Sequence, residues 1–119
     1  MPKSNIMFLP CEDLKETVAF YTGIIGITVN QVMGDCVILD SGYGYLGFCN
    51  YGDGRPLAQG ICISFNEEDT AGVDRMYAKI LKTAPEILVE KPKQHDRFAV
   101  YSFFLKDPNG YLVEIQKIL

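Results

Sequence analysis

Histidine is almost missing from this sequence: there is one, His95. The four cysteines, Cys11, Cys36, Cys49 and Cys62, never fall into a C-x-x-C pair. A structural zinc site draws its ligands from such clusters, so none is expected here. No apolar run approaches the roughly 20 residues that a membrane helix requires. The opening stretch, MPKSNIMFLPCED, carries one basic residue and a short apolar patch, which does not read as an export signal. Basic residues are outnumbered 11 to 15, for a net charge of -4, and they form no cluster. That disfavours nucleic acid as a main partner, and nothing points to a membrane. A cytoplasmic protein is expected, with its cysteines reduced and mostly packed as small apolar groups.

What the chain does contain is an ordered alternation of short patterns. A length of 119 residues suits one compact domain or two small modules sharing a core. The run 5–11 is strand-like, and Asp13 then caps a helix with Glu16 three residues on. Leu14, Val18 and Tyr21 recur at helical spacing, and Gly23 and Gly26 end the helix. Three strand patterns follow: ITVNQVM, DCVILDS and YLGFCNY. The segment 53–59, rich in Gly, Pro and Asp, reads as a linker. Beyond it the order recurs. GICISF is a strand; a helix follows, with Asn66, Asp69 or Thr70 as its cap. EILVEK is a strand, PKQHDR a loop, and FAVYSFFLK and YLVEIQKI are strands joined by DPNG. The chain therefore writes strand, helix, three strands twice, as modules 1–52 and 60–119.

That repeat disposes of a tempting motif. Gly42, Gly44 and Gly47 spell G-x-G-x-x-G, the fingerprint of a dinucleotide-binding turn. The fingerprint needs a helix after it, because the helix N-terminus holds the pyrophosphate. Here a strand follows, so the glycines read as turn and strand residues. The letters GYLGFCN (44–50) lie over GYLVEIQ (110–116), which equates Gly44 with Gly110.

Duplicated βαβββ modules, with Asp13, Leu14, Phe20, Tyr21 and Gly26 early and Asp107, Pro108, Gly110 and Glu114 late, resemble the vicinal oxygen chelate superfamily. Its members include glyoxalase I, bleomycin-resistance proteins, fosfomycin-resistance enzymes and extradiol dioxygenases. The resemblance covers essentially the whole chain. It implies an α+β fold in which two modules form a cupped mixed sheet with helices on the outside. It also implies a homodimer, and metal ligands on four strands in the metal-dependent members: His or Gln on the first and fifth, Glu on the eighth, a variable residue on the fourth.

Strand geometry selects the residues that share a face with Glu114. DPNG fits a three-residue hairpin loop closed by Asp107 and Tyr111. Counting outward, Phe104 faces Glu114 and Ser102 faces Gln116, while Tyr101, Phe103, Leu105, Val113 and Ile115 point to the helix. Carried through the repeat, the count equates Phe48 with Glu114 and Asn50 with Gln116, with Ile38 and Cys36 opposite. Spacing back from the helix caps puts Ile6 and Gly60 at ligand positions, with Phe8 and Cys62 next on the same face. Of Ile6, Phe48, Gly60 and Glu114, only Glu114 offers a donor atom. A metal is therefore not expected, Glu114 being its ligand if one is held.

The expected binding set is Glu114, Phe48, Phe104, Ser102, Gln116, Ile38, Ile6, Phe8, Asn50 and Arg97. Glu114 is open to service as ligand, base or hydrogen-bond acceptor, or to a merely structural role. His95 reads as a solvated loop residue or as a rim contact. Arg97 meets an anionic ligand or pairs with a carboxylate. Ser102 has no base visible in sequence, so a nucleophilic role is not expected of it. The functional expectation is a metal-free small-molecule-binding protein that takes an aromatic or amphipathic ligand without a cofactor. The alternative is a lyase, isomerase or dioxygenase that uses Glu114 with His95, or with a residue of a partner chain, around divalent zinc, manganese, nickel or iron. An interaction module with a vestigial cup is the third reading.

Overall fold

The computed structural model describes all residues from 1 to 119. The chain forms two compact units, Met1–Gln59 and Gly60–Leu119. Each is a four-stranded mixed sheet with a helix between its first two strands, so the α+β class is as expected.

In the first unit, β1 (Ile6–Pro10) leads into α1 (Leu14–Ala19), which continues as a π-helical turn over Phe20–Ile25. Asp13 starts the helix: its carboxylate accepts the Glu16 N–H at 2.9 Å, satisfying one of the orphan donors of the first turn. Gly23 lies within the helical turn, and Gly26 in left-handed backbone ends it. Then come β2 (Thr28–Met33), β3 (Cys36–Asp40) and β4 (Tyr45–Cys49), in the sheet order β1-β4-β3-β2. β1 runs parallel to β4 and the other pairs are antiparallel. One face of this sheet is closed by the helix: Leu9, Val37, Leu39 and Phe48 are buried with Phe20, Tyr21 and Ile25, and the Phe48 ring stacks on Tyr21 at 4.8 Å.

The second unit repeats the scheme. β5 (Cys62–Asn66) is followed by α2 (Thr70–Thr83), whose cap is Asp69, accepting the Gly72 N–H at 2.7 Å. β6 (Lys93–Gln94), β7 (Val100–Lys106) and β8 (Leu112–Ile118) complete a sheet in the order β5-β8-β7-β6. The apolar stripe of α2 meets Phe103, Leu105, Val113 and Ile115. Val73 and Ile80 are fully buried, Tyr77 lies edge-on to Phe103 at 5.3 Å, and Tyr101 donates to Asp74 of the helix at 2.6 Å. Burying each such aliphatic side chain stabilises the unit by about 1.5–3 kcal/mol.

The structure corrects the sequence reading in three places. The stretch EILVEK is not a strand: Pro85–Ile87 forms a 3-10 turn, and only Leu88 makes a bridge, to Leu105. The sixth strand lies instead in the expected loop, where Lys93 pairs with Ser102 and Gln94 with Tyr101. Pro85 opens that turn, Leu88 and Val89 touch β7 only briefly, with the Val89 N–H donating to the Phe104 carbonyl at 2.9 Å, and Pro92 has no donor to continue the ladder, so regular pairing begins at Lys93. Second, Cys36 and Cys49 are directly paired across β3 and β4 and joined as a disulfide, rather than reduced. Cys11 is a buried thiol and Cys62 an exposed one.

The third correction concerns register. The second hairpin is closed by Asp107 and Tyr111 around Pro108, Asn109 and Gly110, as the sequence suggested. The first is closed by Ser41 and Gly44 around only Gly42 and Tyr43, with Gly42 at φ 93°. A two-residue loop takes a primed turn and wants glycine at its first central position; a three-residue loop takes glycine last. The first loop is thus one residue shorter, and the letters GYLGFCN and GYLVEIQ are not structurally equivalent. The residue that matches Glu114 is Gly47: Ile38 pairs with Gly47 as Phe104 pairs with Glu114.

Candidate functional site

The polar centre of the second unit lies on the sheet face opposite α2. Glu114 of β8 has Ser64 of β5 directly beside it, through the parallel pairing, and Phe104 of β7 on its other side. The Ser64 hydroxyl donates to Glu114 Oε1 at 2.6 Å, and the Ser102 hydroxyl donates to Oε2 at 2.9 Å. Ser102 is wholly buried and Glu114 is 9% exposed. Two hydroxyl donors stabilise a carboxylate held this far from water.

His95 extends this network. Its backbone N–H bonds to the Val100 carbonyl just past β6, which brings the ring onto the face of Ser102. His95 Nε2 lies 2.7 Å from Ser102 Oγ, and the ring packs edge-on to Phe104, with centroids 5.7 Å apart. Ser102 has one proton, and it goes to Glu114, so the hydroxyl oxygen accepts from His95 Nε2–H. At the far end, Cys62 Sγ is 3.6 Å from Ser64 Oγ. Partial burial raises the Cys62 thiol pKa and the Glu114 charge adds to it, together outweighing the Ser64 hydrogen bond that lowers it, so the thiol is a poor nucleophile. The arrangement is a continuous hydrogen-bonded row, Cys62–Ser64–Glu114–Ser102–His95, crossing the whole sheet. It is not a nucleophile triad, because the serine sits between base and carboxylate and its proton is committed to the latter.

The structure separates the expected site residues. Glu114, Ser102 and Phe104 are brought together, with Phe104 half-buried. Gln116 lies one step along the same face, where its amide donates to Asn66 at 3.1 Å. His95, which polar neighbours made look solvated, joins them, because β6 falls later than its apolar run suggests. Ser64 was missed as well; its signal was alternation on β5, which places it beside Glu114 once Cys62 starts the strand.

In the first unit, Phe48 is a correction: it is fully buried and faces the helix. Gly47 takes the equivalent of the Glu114 position, and the Phe8 ring lies over it, 2.4 Å from where a Cβ would be built. Ile38 pairs with Gly47 and is buried, and Ile6 is exposed at the start of β1. Asn50 lies beyond β4 and bonds the Glu12 carbonyl at 3.1 Å. Gly60 precedes β5 in left-handed backbone, and the residue matching Ile6 is Cys62. Arg97 sits in the exposed loop with its guanidinium 5.3 Å from the Phe98 ring, and it has no ion pair with Glu114. A recess of about 360 Å³ in this unit is lined by linker residues, but its cation, Arg55, is taken up by Asp53 at 2.7 Å and by the Tyr51 ring.

A family model described as glyoxalase/bleomycin resistance protein/dioxygenase superfamily matches residues 4–115. The chain belongs to that superfamily. Solved structures agree on the fold. A glyoxalase/bleomycin resistance protein/dioxygenase from Alicyclobacillus acidocaldarius has a TM-score of 0.76 at 20% identity, covering 98% of this chain and 92% of its own. A lactoylglutathione lyase from Agrobacterium tumefaciens gives 0.73 at 23%, covering 98% and 94%. A family enzyme from Burkholderia phytofirmans gives 0.78 at 18%, covering 96% and 97%. Among curated proteins none matches the chain. Identities this low carry the superfamily's architecture and leave its chemistry to be argued from residues.

Proposed function

We propose that this superfamily member binds a small aromatic or amphipathic molecule, non-covalently and without a metal, on the Glu114 face of its second unit. The observation that carries the reading is the row Ser64–Glu114–Ser102–His95 beside a half-buried Phe104: an apolar contact surface with a few convergent, pre-positioned polar groups. The donor set suits a divalent transition metal poorly. Both oxygens of Glu114 already accept hydroxyls, its neighbour on the fifth strand is a neutral serine, and the matching pair in the first unit is Phe8 and Gly47. Such metals favour three or more carboxylate, imidazole or thiolate ligands.

The test is a thermal-shift screen of aromatic small molecules run beside metal analysis of the purified protein. Ligands that raise Tm for the wild type and not for Glu114→Gln, on protein with little bound metal, are the expected result. Near-stoichiometric zinc, manganese, nickel or iron, removed by chelator with loss of stability in the wild type but absent from Glu114→Gln, would replace this reading by the metal-dependent one. A homodimer belongs to the same proposal. It is supported by the exposed apolar side chains of two edge strands, Met7 and Phe8 on β1 and Val29, Val32 and Met33 on β2. A monomer in sedimentation at micromolar concentration would remove that part.

A further inference from the structure

The Nδ1 atom of His95, the only imidazole in the chain, makes no hydrogen bond within the protein. The proton accounting along the row fixes its character. Glu114 accepts from Ser64 and Ser102, the single Ser102 proton is thereby spent, and His95 must donate from Nε2. In the neutral ring, Nδ1 then carries a lone pair. The bond to Ser102 is the only hydrogen bond the ring makes, and the ring is half-buried, so Nδ1 remains an acceptor without a protein donor. Glu114 engages no cation, and Lys93, opposite Ser102, is paired with Glu90 at 3.6 Å, so an anionic group set beside the carboxylate meets repulsion. Both of its oxygens are also covered by serine hydroxyls, which makes them poor points of direct contact. The adjoining Phe104 ring offers an aromatic surface beside the acceptor.

We propose that the ligand is a neutral aromatic alcohol whose hydroxyl donates to His95 Nδ1 while its ring rests against Phe104. Ser102 and Glu114 are then positioning residues: they hold the imidazole in the Nε2–H form and leave Nδ1 as the acceptor. The inference rests on the small-molecule reading above and adds the chemical class. An acidic hydroxyl suits this site, because imidazole nitrogen is a strong neutral acceptor and phenols are stronger donors than aliphatic alcohols.

Two measurements test it. As the only histidine in the chain, His95 gives imidazole resonances that need no assignment. A long-range proton–nitrogen spectrum of the wild type at pH 8 should show the Nε2–H tautomer, and a Nδ1–H tautomer overturns the inference. The second compares 1-naphthol with its methyl ether by fluorescence titration. Both keep the rings and only the former can donate. The wild type should prefer naphthol by about tenfold, the worth of one hydrogen bond. In His95→Phe, which keeps an aromatic ring against Phe104, the preference should fall to about unity with the ether's affinity little changed. Equal binding of the two probes to the wild type overturns the role of His95 and leaves the small-molecule reading standing. A naphthol preference that persists in His95→Phe does the same. Binding of neither probe at millimolar concentration overturns both.

Discussion

Replacing Ser102 by alanine should destabilise the protein by about 1.5–3 kcal/mol, the range for a hydrogen bond to a charged group. The magnitude follows from the two bonds that Ser102 makes. Its hydroxyl is wholly buried and donates to Glu114 Oε2 at 2.9 Å. Removing it leaves a buried carboxylate oxygen facing a methyl group, and the other oxygen keeps only Ser64. The bond to His95 adds less, because a half-buried imidazole N–H finds water once the serine is gone. No compensation comes from packing, since the alanine leaves a gap the size of one oxygen.

Urea unfolding followed by far-ultraviolet circular dichroism measures the effect. A lower midpoint with unchanged slope is the expected pattern. For a chain of this size each kcal/mol corresponds to about 4 °C in Tm, so a fall of roughly 6–12 °C should accompany it. The decisive comparison is a double-mutant cycle with Glu114→Gln. The glutamine side chain is neutral and its amide nitrogen donates, so the serine bond is already weakened and Ser102→Ala should cost less in that background. A coupling of about 1 kcal/mol or more is expected for groups in one network. Coupling below about 0.3 kcal/mol, or a single-mutant cost within 0.5 kcal/mol of zero, would refute the reasoning: the carboxylate would then be solvated and the serine merely nearby.

Phe48→Ala should cost about 3–5 kcal/mol, as for a buried aromatic stacked on another, and leave ligand affinity on the Glu114 face unchanged; a small stability loss with lost binding would return Phe48 to the ligand wall. Reducing the Cys36–Cys49 disulfide, which spans a sequence separation of 13, should lower stability by about 3 kcal/mol by the loop-entropy estimate. Unfolding in urea with and without reductant checks this, the Cys36→Ser/Cys49→Ser variant serving as control, and equal midpoints refute it. Asp53 should titrate at about 2, below its ordinary 3.8, because the Arg55 side chain and backbone N–H bond to its carboxylate. The pairing is complete above the ordinary value and is lost as pH falls through about 2; carbon NMR should show this midpoint, and Arg55→Gln should move it back up.

Much of the architecture was written in local chemistry. Asp13 and Asp69 cap their helices, DPNG sets its own three-residue loop, and the alternation around it places Phe104 and Ser102 on one face and Tyr101, Phe103 and Leu105 on the other. These features depend on a few adjacent residues, which is why they can be read one at a time. The site was half legible for the same reason. Glu114, Ser102 and Phe104 follow from a single hairpin, whereas Ser64 and His95 arrive from strands on either side and require knowledge of where those strands begin. An apolar run, EILVEK, suggested the wrong start, because apolar residues that cover a turn and residues that pair in a ladder look alike until the prolines are weighed.

The first unit failed to yield its own site by a single residue, and the reason is geometric. Side chains on a strand alternate with a period of two, so a one-residue error moves a residue to the opposite face rather than to a neighbouring place. Matching letters across the repeat favoured Gly44 with Gly110, since both are followed by Tyr-Leu. Hydrogen bonding favours Gly44 with Tyr111, because Ser41 and Gly44 close a loop that holds two residues where its counterpart holds three. The cost of the slip was a buried core phenylalanine taken for a pocket wall. The gain from correcting it is a physical account of asymmetry: where the second unit places a carboxylate braced by a serine, the first places a glycine roofed by the Phe8 ring. Of the two equivalent positions only the second carries a polar side chain, so the proposed binding rests on the second unit.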